Sequence, residues 1–282
     1  MKLSRPQAEI WVPDGEPEER ALARTTHMAV SAHPDDTEIM ALDGILAGFG
    51  NPERWFTAVI VTDGAGSPRE GLYAAYSDQQ MQAVRRREQK KAAMVGEYAA
   101  AVLLNHPSSA VKNPAEAAPK EDLKTLIAAA RPEVIYTHNL ADKHDTHVAV
   151  ALRTIAALRE LPASLRPRRL YGCEVWRDLD WMADQDKIAF RLDAHDNIAL
   201  ALVGIFDSQI AGGKRYDLAT MGRRRAHATY HESHAVDVAQ LINFAMDLTP
   251  LIQDEAPDPH DYVQGFIGRF AQDVSDRLKR LG

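Results

Sequence analysis

From Thr26 onward, short apolar runs alternate with longer stretches in which apolar residues recur at helical spacing. The runs are HMAVSAH (27–33), WFTAVIVTD (55–63), AAAVLLN (99–105), EVIYTH (133–138) and RRLYGCEVW (168–176). Between them, segments at 37–49, roughly 79–97, roughly 119–130 and roughly 145–160 carry the helical period. Strands rich in Val and Ile, separated by helices, pair in parallel through right-handed crossovers with helices on both faces. The pattern predicts an α/β fold: a doubly wound, mostly parallel sheet over residues 26–176. Beyond Trp176 it changes to a strand-like KIAFRLD (187–193), an apolar helix (197–209) and a polar helix (214–230). Then follow the Pro-rich EAPDPHDY (255–262) and an amphipathic helix ending in RLKRLG. Residues 177–282 are expected to form a C-terminal extension packed on the sheet within one domain of 282 residues.

In such sheets ligands lie outside the carboxyl ends of the strands, so the polar residues after each run are the ones to inspect. They are His33–Asp36, Thr62-Asp63-Gly64, Asn105-His106-Pro107 and His138 through His147. Within AHPDDTE (32–38), His33 and Asp36 lie three apart and can face one spot where strand turns into helix. A third ligand for a divalent cation must come from elsewhere, and His144-Asp145-Thr146-His147 supplies imidazoles at another loop of the same edge. Two nitrogens, a carboxylate oxygen and an open water position make up a typical catalytic zinc site. If Asp36 binds metal, Asp35 is free for general-base work. Each piece has a plainer alternative: Asp35 and Asp36 as caps of the following helix, and the histidines as surface residues at a helix start.

These motifs resemble the zinc-dependent PIG-L/LmbE-like N-acetylglucosaminyl deacetylases. The resemblance rests on AHPDDTEI, VTDG (61–64), RRREQKKAA (85–93) and RPEVIYTHNLADKHDTHVAV (131–150), and covers about residues 26–160 well. It implies a Rossmann-like fold and hydrolysis of the N-acetyl group of a small N-acetylglucosamine-containing glycoside or sugar conjugate. It further implies one Zn2+ per chain (Fe2+ being another option) on His33, Asp36 and His147, with Asp35 as general base and His144 as second catalytic group. Where the family commonly reads HPDH this chain reads HDTH, so Thr146 replaces the Asp that orients the catalytic histidine, and Asp142 or Asp145 must serve if any residue does. Two alternative readings remain: an amidase acting on a larger amide of a sugar or thiol conjugate, and a non-catalytic sugar-binding descendant.

Other residues carry weaker signals. Asp63 is a substrate contact or a turn residue before Gly64. Arg85 and Glu88, at i and i+3, pair on a helix surface or support the active-site loop, and Arg85 is a candidate substrate contact. In HATYHESH (227–234) the first expectation is a solvated polar face, then a substrate contact by His231, and last a second metal. DSQ (207–209) is similar to a Ser-Gln pair of the family, and a helix cap would read the same.

Composition adds limits. The net charge of -7 argues against a general nucleic-acid or anionic-membrane surface, and the basic triplets 85–87 and 223–225 are expected as solvated helix faces. One cysteine, Cys173, excludes an internal disulfide framework and fits a reducing compartment. No signal-like h-region and no run of eighteen uncharged apolar residues occur, so a cytoplasmic protein without a membrane span is expected. Self-association stays open.

Overall fold

The computed structural model describes residues 1–253 and 256–282, so Glu255, the first residue of EAPDPHDY, lies outside the described residues. Eight strands form one mixed sheet: β1 (Glu9–Trp11), β2 (His27–Ser31), β3 (Phe56–Thr62), β4 (Ala100–His106), β5 (Val134–His138), β6 (Arg169–Cys173), β7 (Ile188–Arg191) and β8 (Ile242–Asp247). Their order is β1-β4-β3-β2-β5-β6-β8-β7. The central pairs β4/β3, β3/β2, β2/β5 and β5/β6 are parallel, and β1, β8 and β7 add antiparallel pairs at the two edges.

The core follows from side-chain alternation. All seven residues of β3 are buried, because helices cover both faces. Met28, Val30, Val59, Val61 and Val102 face one apolar cluster; Ala29, Ala58, Ile60, Ala101 and Leu103 face the other. Cys173 is buried at the end of β6.

The doubly wound expectation holds, with four differences. The helix expected at 37–49 is two, Asp36–Met40 and Leu42–Gly48, interrupted at Ala41, whose backbone is not helical. The helix at 197–209 likewise divides into Asp196–Gly204 and Asp207–Ile210. β1 and β8 were not anticipated, and through β7 and β8 the extension continues the sheet rather than only covering it. Each basic triplet, expected to be solvated, buries one arginine. Arg85 is 4% exposed and Arg224 is fully buried.

Candidate active site

The strand order reverses between β2 and β5: β3 and β4 lie on one side of β2, while β5 and β6 lie on the other. The loops leaving adjacent carboxyl ends of such strands diverge and open a crevice. The loop after β2 carries His33-Pro34-Asp35-Asp36, and the one after β5 runs from Asn139 to His144, where helix Asp145–Glu160 begins.

Three donor atoms meet there. Asp36 Oδ2 lies 3.0 Å from His33 Nδ1 and 3.3 Å from His147 Nε2, and those two nitrogens are 3.2 Å apart. This near-equilateral triangle matches one face of a tetrahedral site, since ligands about 2.0–2.1 Å from a zinc ion lie roughly 3.3 Å from each other. The charge balance also fits a cation. Burial disfavours charge on His147, yet Asp36 and Asp142 outweigh it and raise its pKa to about 9. Burial opposes ionisation of Asp36 as well, and His147 and His33 overcome it, holding the carboxyl well below its usual range. One positive charge is thus wanted at the centre of the cluster, as a proton or as a metal.

Besides a grouping of His33, His144 and His147, another of Asp36 and His147 with His138 has donor atoms close enough to hold an ion, and His138 has to be weighed. Its Nε2, however, accepts the Ala32 backbone N–H at 2.9 Å, so that lone pair is already used. The His138 ring instead stacks on His147 with centroids 3.9 Å apart. His138 is therefore a brace, buried at the end of β5.

Asp142 was expected to orient His144 if it oriented any catalytic group. Its carboxylate accepts backbone N–H groups from His144 at 3.0 Å and Trp176 at 3.1 Å, and its Oδ2 lies 3.4 Å from His147 Nδ1. It thus faces the far nitrogen of His147, the arrangement that fixes tautomer and ring orientation in histidine metal ligands. His144 Nδ1 has no partner. The His144 ring stacks on His147 and meets His33 edge-on, and burial together with those two imidazoles lowers its pKa. Thr146 is buried.

Asp35 has φ 96° and ψ -35°, a conformation costly for a residue with a side chain. It is 5% exposed, and burial pushes its carboxyl well up against the opposing pull of Arg85, with Asp36 and Glu38 adding to the rise. Arg85 holds this turn. Its guanidinium donates to Pro34 O at 2.7 Å and Gly64 O at 3.1 Å, and one nitrogen lies 3.5 Å from Asp35 Oδ2. At Gly64 φ is +72°, a left-handed backbone that a side chain would strain. Glu38 accepts hydrogen bonds from Gln89 and Tyr98 beneath the loop. Arg224 donates to the carbonyls of Glu38 and Ile39 at 2.9 and 3.1 Å, placing a cation at the C-terminal end of helix Asp36–Met40.

A cleft of about 80 Å³ opens over these groups, lined by His33, Asp35, Asp36, Arg85, His144 and Trp176, with Gln209, Lys214 and Tyr216 at its far wall. Gln209 reaches it from the DSQ stretch. There Glu88 receives both the backbone N–H and the hydroxyl of Ser208, and Asp207 accepts the Tyr73 hydroxyl at 2.6 Å. Arg85 and Glu88 thus act outward from their helix and not as a surface pair. Lys214 Nζ lies 5.0 Å from the centre of the Trp176 ring.

Two expected contacts are not in the cleft. The Asp63 carboxylate accepts the Ala65 N–H at 3.1 Å and closes a turn, which is its structural role. His231 lies just beyond helix Tyr216–Tyr230, about 20 Å of helix away from the Tyr216 that lines the cleft, and its ring leans on Phe244. His227, expected on a solvated face, is buried with its ring stacked on Phe244 at 4.2 Å. Among the described residues no histidine of HATYHESH joins a group of atoms able to hold an ion. His106, after β4, is tied to Asp122 at 2.9 Å and is structural. Arg224 and Trp176 were missed from sequence, whereas His138 lay within the strand-end stretch marked for inspection and Gln209 within the DSQ stretch that is similar to the family's Ser-Gln pair.

Fold and site together define a doubly wound α/β protein with a histidine–aspartate centre at its topological switch point. Residues 28–158, just under half of the chain, match the family model described as PIG-L, GlcNAc-PI de-N-acetylase. Solved structures share the fold at low identity. The conserved protein TT1542 from Thermus thermophilus is 18% identical, with 83% of this chain and 99% of that one covered and a TM-score of 0.58. N,N'-diacetylchitobiose deacetylase from Pyrococcus horikoshii is 15% identical over 78% and 83%, with a TM-score of 0.59. GalB, the 4-carboxy-2-hydroxymuconate hydratase from Pseudomonas putida, is 13% identical over 79% and 96%, also at 0.59. No curated protein sequence matches the chain.

Proposed function

We propose that the protein is a metal-dependent hydrolase that removes the acetyl group from an N-acetylglucosamine-containing glycoside or sugar conjugate, releasing acetate and a free amine. The observation that carries this reading is the triangle of His33 Nδ1, Asp36 Oδ2 and His147 Nε2, at 3.0–3.3 Å, beside a buried carboxylate that is not part of it. The match of residues 28–158 to a de-N-acetylase family model supports it, as does the shared fold of a chitobiose deacetylase. The fold alone does not decide, because a hydratase has it too.

His33, Asp36 and His147 would hold the metal, with zinc the best fit to two imidazoles and one carboxylate. Bound there, it would polarise the amide carbonyl and acidify a water molecule. Asp35, fixed by its turn and by Arg85, takes the proton of the attacking water and returns it to the departing amine. His144, which lines the cleft, donates a hydrogen bond to the oxygen that gains negative charge. Asp142 keeps His147 oriented with Nε2 toward the centre. The cleft is far smaller than the several hundred Å³ of ordinary ligand pockets, so the acetamide enters it while the sugar rests at the mouth, against Trp176, Tyr216 and Lys214.

The test is acetate release by zinc-loaded protein from a panel of N-acetylglucosamine conjugates. Release that stops when a chelator removes the metal is the expected result. A stoichiometrically metal-loaded protein that releases no acetate from any member, yet hydrates an unsaturated carboxylic acid, would overturn the assignment.

A further inference from the structure

Helix Pro259–Leu281 is anchored only by its first half. Val263 and Phe266 are buried, the Tyr262 hydroxyl donates to Asp247 O at 2.6 Å, and Arg269 pairs with Asp186 at 2.7 Å. From Ile267 onward nearly every residue is exposed. The exposed part is nevertheless not a polar tail. Ile267, Phe270, Val274, Leu278 and Leu281 recur at spacings of three and four and form one stripe, with Leu278 69% and Leu281 76% exposed. A helical segment of about 14 residues is marginal in water without tertiary packing, and an apolar seam of this kind is what pairs helices.

The seam runs straight into an apolar groove of about 720 Å³ between this helix and helix Asp145–Glu160, whose walls include Val148, Leu152, Trp181, Ile267 and Phe270. Groove and unpartnered seam lie on the same side of one element. We propose that this face is a two-fold dimer interface, in which the last turns of helix Pro259–Leu281 of each copy fill the groove of the other. The match is self-complementary, as a two-fold contact requires. Antiparallel pairing centred between Phe270 and Ala271 puts Val274 opposite Ile267, Leu278 opposite Val263, and Arg280 opposite Asp261. Charge agrees with that register: acidic Asp261 stands in the first turn, while Lys279 and Arg280 stand in the last and make no ion pair among the described residues. A lipid surface fits less well, because Asp273 and Asp276 share the polar side of the helix with the basic residues and the chain carries a net charge of -7.

Sedimentation of the full chain across the micromolar range tests this. The parent should be a dimer, and Phe270→Asp should weaken it more than about tenfold, as loss of a central aromatic anchor does. Leu278→Glu, at a position too exposed to affect folding of one copy, should act in the same direction. Ala271→Cys, beside the proposed axis, should give a disulfide-linked dimer on oxidation, the native Cys173 being buried. Acetate release should persist in all three, so failure of the interface and failure of the proposed activity are read separately. A parent that stays monomeric, a dimer unchanged by both Phe270→Asp and Leu278→Glu, or a monomer whose helix instead binds anionic vesicles would each overturn the proposal.

Discussion

Two clusters of histidine and carboxylate lie at the carboxyl side of this sheet, and only one of them is arranged to bind an ion. At the crevice between β2 and β5, His33, Asp36 and His147 point their free atoms at one another. Around them, Asp36 Oδ2 also accepts the His33 backbone N–H at 2.7 Å, and the far nitrogen of His147 faces Asp142. Where the extension meets the end of β6, His227 Nδ1 is as close to Glu174, 3.4 Å from its Oε2, and the ring of His231 leans on the same Phe244 as that of His227. Yet both oxygens of Glu174 are taken by the backbone N–H groups of Leu179 and Phe244. Histidine spacing does not separate the two clusters. What separates them is whether the lone pairs that remain after local hydrogen bonding converge.

The comparison can be broken at several points. The largest effect is expected at the crevice. If Asp35 moves the proton, Asp35→Asn should keep the metal while turnover falls about 10²–10⁴-fold, the range for lost general-base catalysis; undiminished acetate release would reduce Asp35 to a strained helix cap.

The second cluster should respond in stability, not activity. Burial raises the Glu174 pKa from 4.5 to about 7, despite its two backbone hydrogen bonds. A folded-state pKa above the unfolded value means stability that is complete below pH 4.5 and is lost as pH rises through 7. The loss from this group is roughly 3 kcal/mol. Glu174→Gln gives up one N–H acceptor and should be the less stable protein at pH 4, with the gap to the parent closing toward pH 7. Urea melts at the two pH values measure this, and a gap independent of pH would contradict the assignment.

How much of this could be read from sequence follows the same division. The alternation of Val- and Ile-rich runs with helical segments carried the parallel core, and the polar residues after β2 and β5 carried the crevice, because both are local consequences of chain geometry. β8 was hidden because LINFAMDL is a short apolar run of no distinct period, which reads equally as buried helix or strand. Arg224 was hidden within an Arg-Arg-Arg triplet, where nothing local distinguishes the member that turns inward to hold carbonyl groups, whereas Arg85 was marked by the family resemblance as a support of the active-site loop. Asp142 was one of two candidates, with Asp145, to orient His144, and its carboxylate faces His147 Nδ1 instead. The start of helix Asp145–Glu160 brings His147, and not the side chain of His144, over its carboxylate.

Smaller effects sharpen the contrast further. Asp142→Asn should weaken metal affinity about 10–100-fold, the usual result of losing a carboxylate behind a ligating histidine; equilibrium competition with a chelator would detect it, and unchanged affinity would free His147 of that support. His231→Ala should alter neither metal content nor the KM for acetate release, since the residue lies outside the cleft. A raised KM would return it to the substrate contacts.

The most direct test of the whole account is metal content by elemental analysis of the parent, Asp35→Asn and Asp36→Asn proteins after zinc loading and desalting. The parent and Asp35→Asn should each hold about one ion per chain, as expected of a three-ligand catalytic site, and Asp36→Asn should hold far less, because a neutral carboxamide replaces the anionic ligand. Full occupancy in Asp36→Asn, or loss of the ion from Asp35→Asn alone, would contradict the division of labour between these adjacent carboxylates.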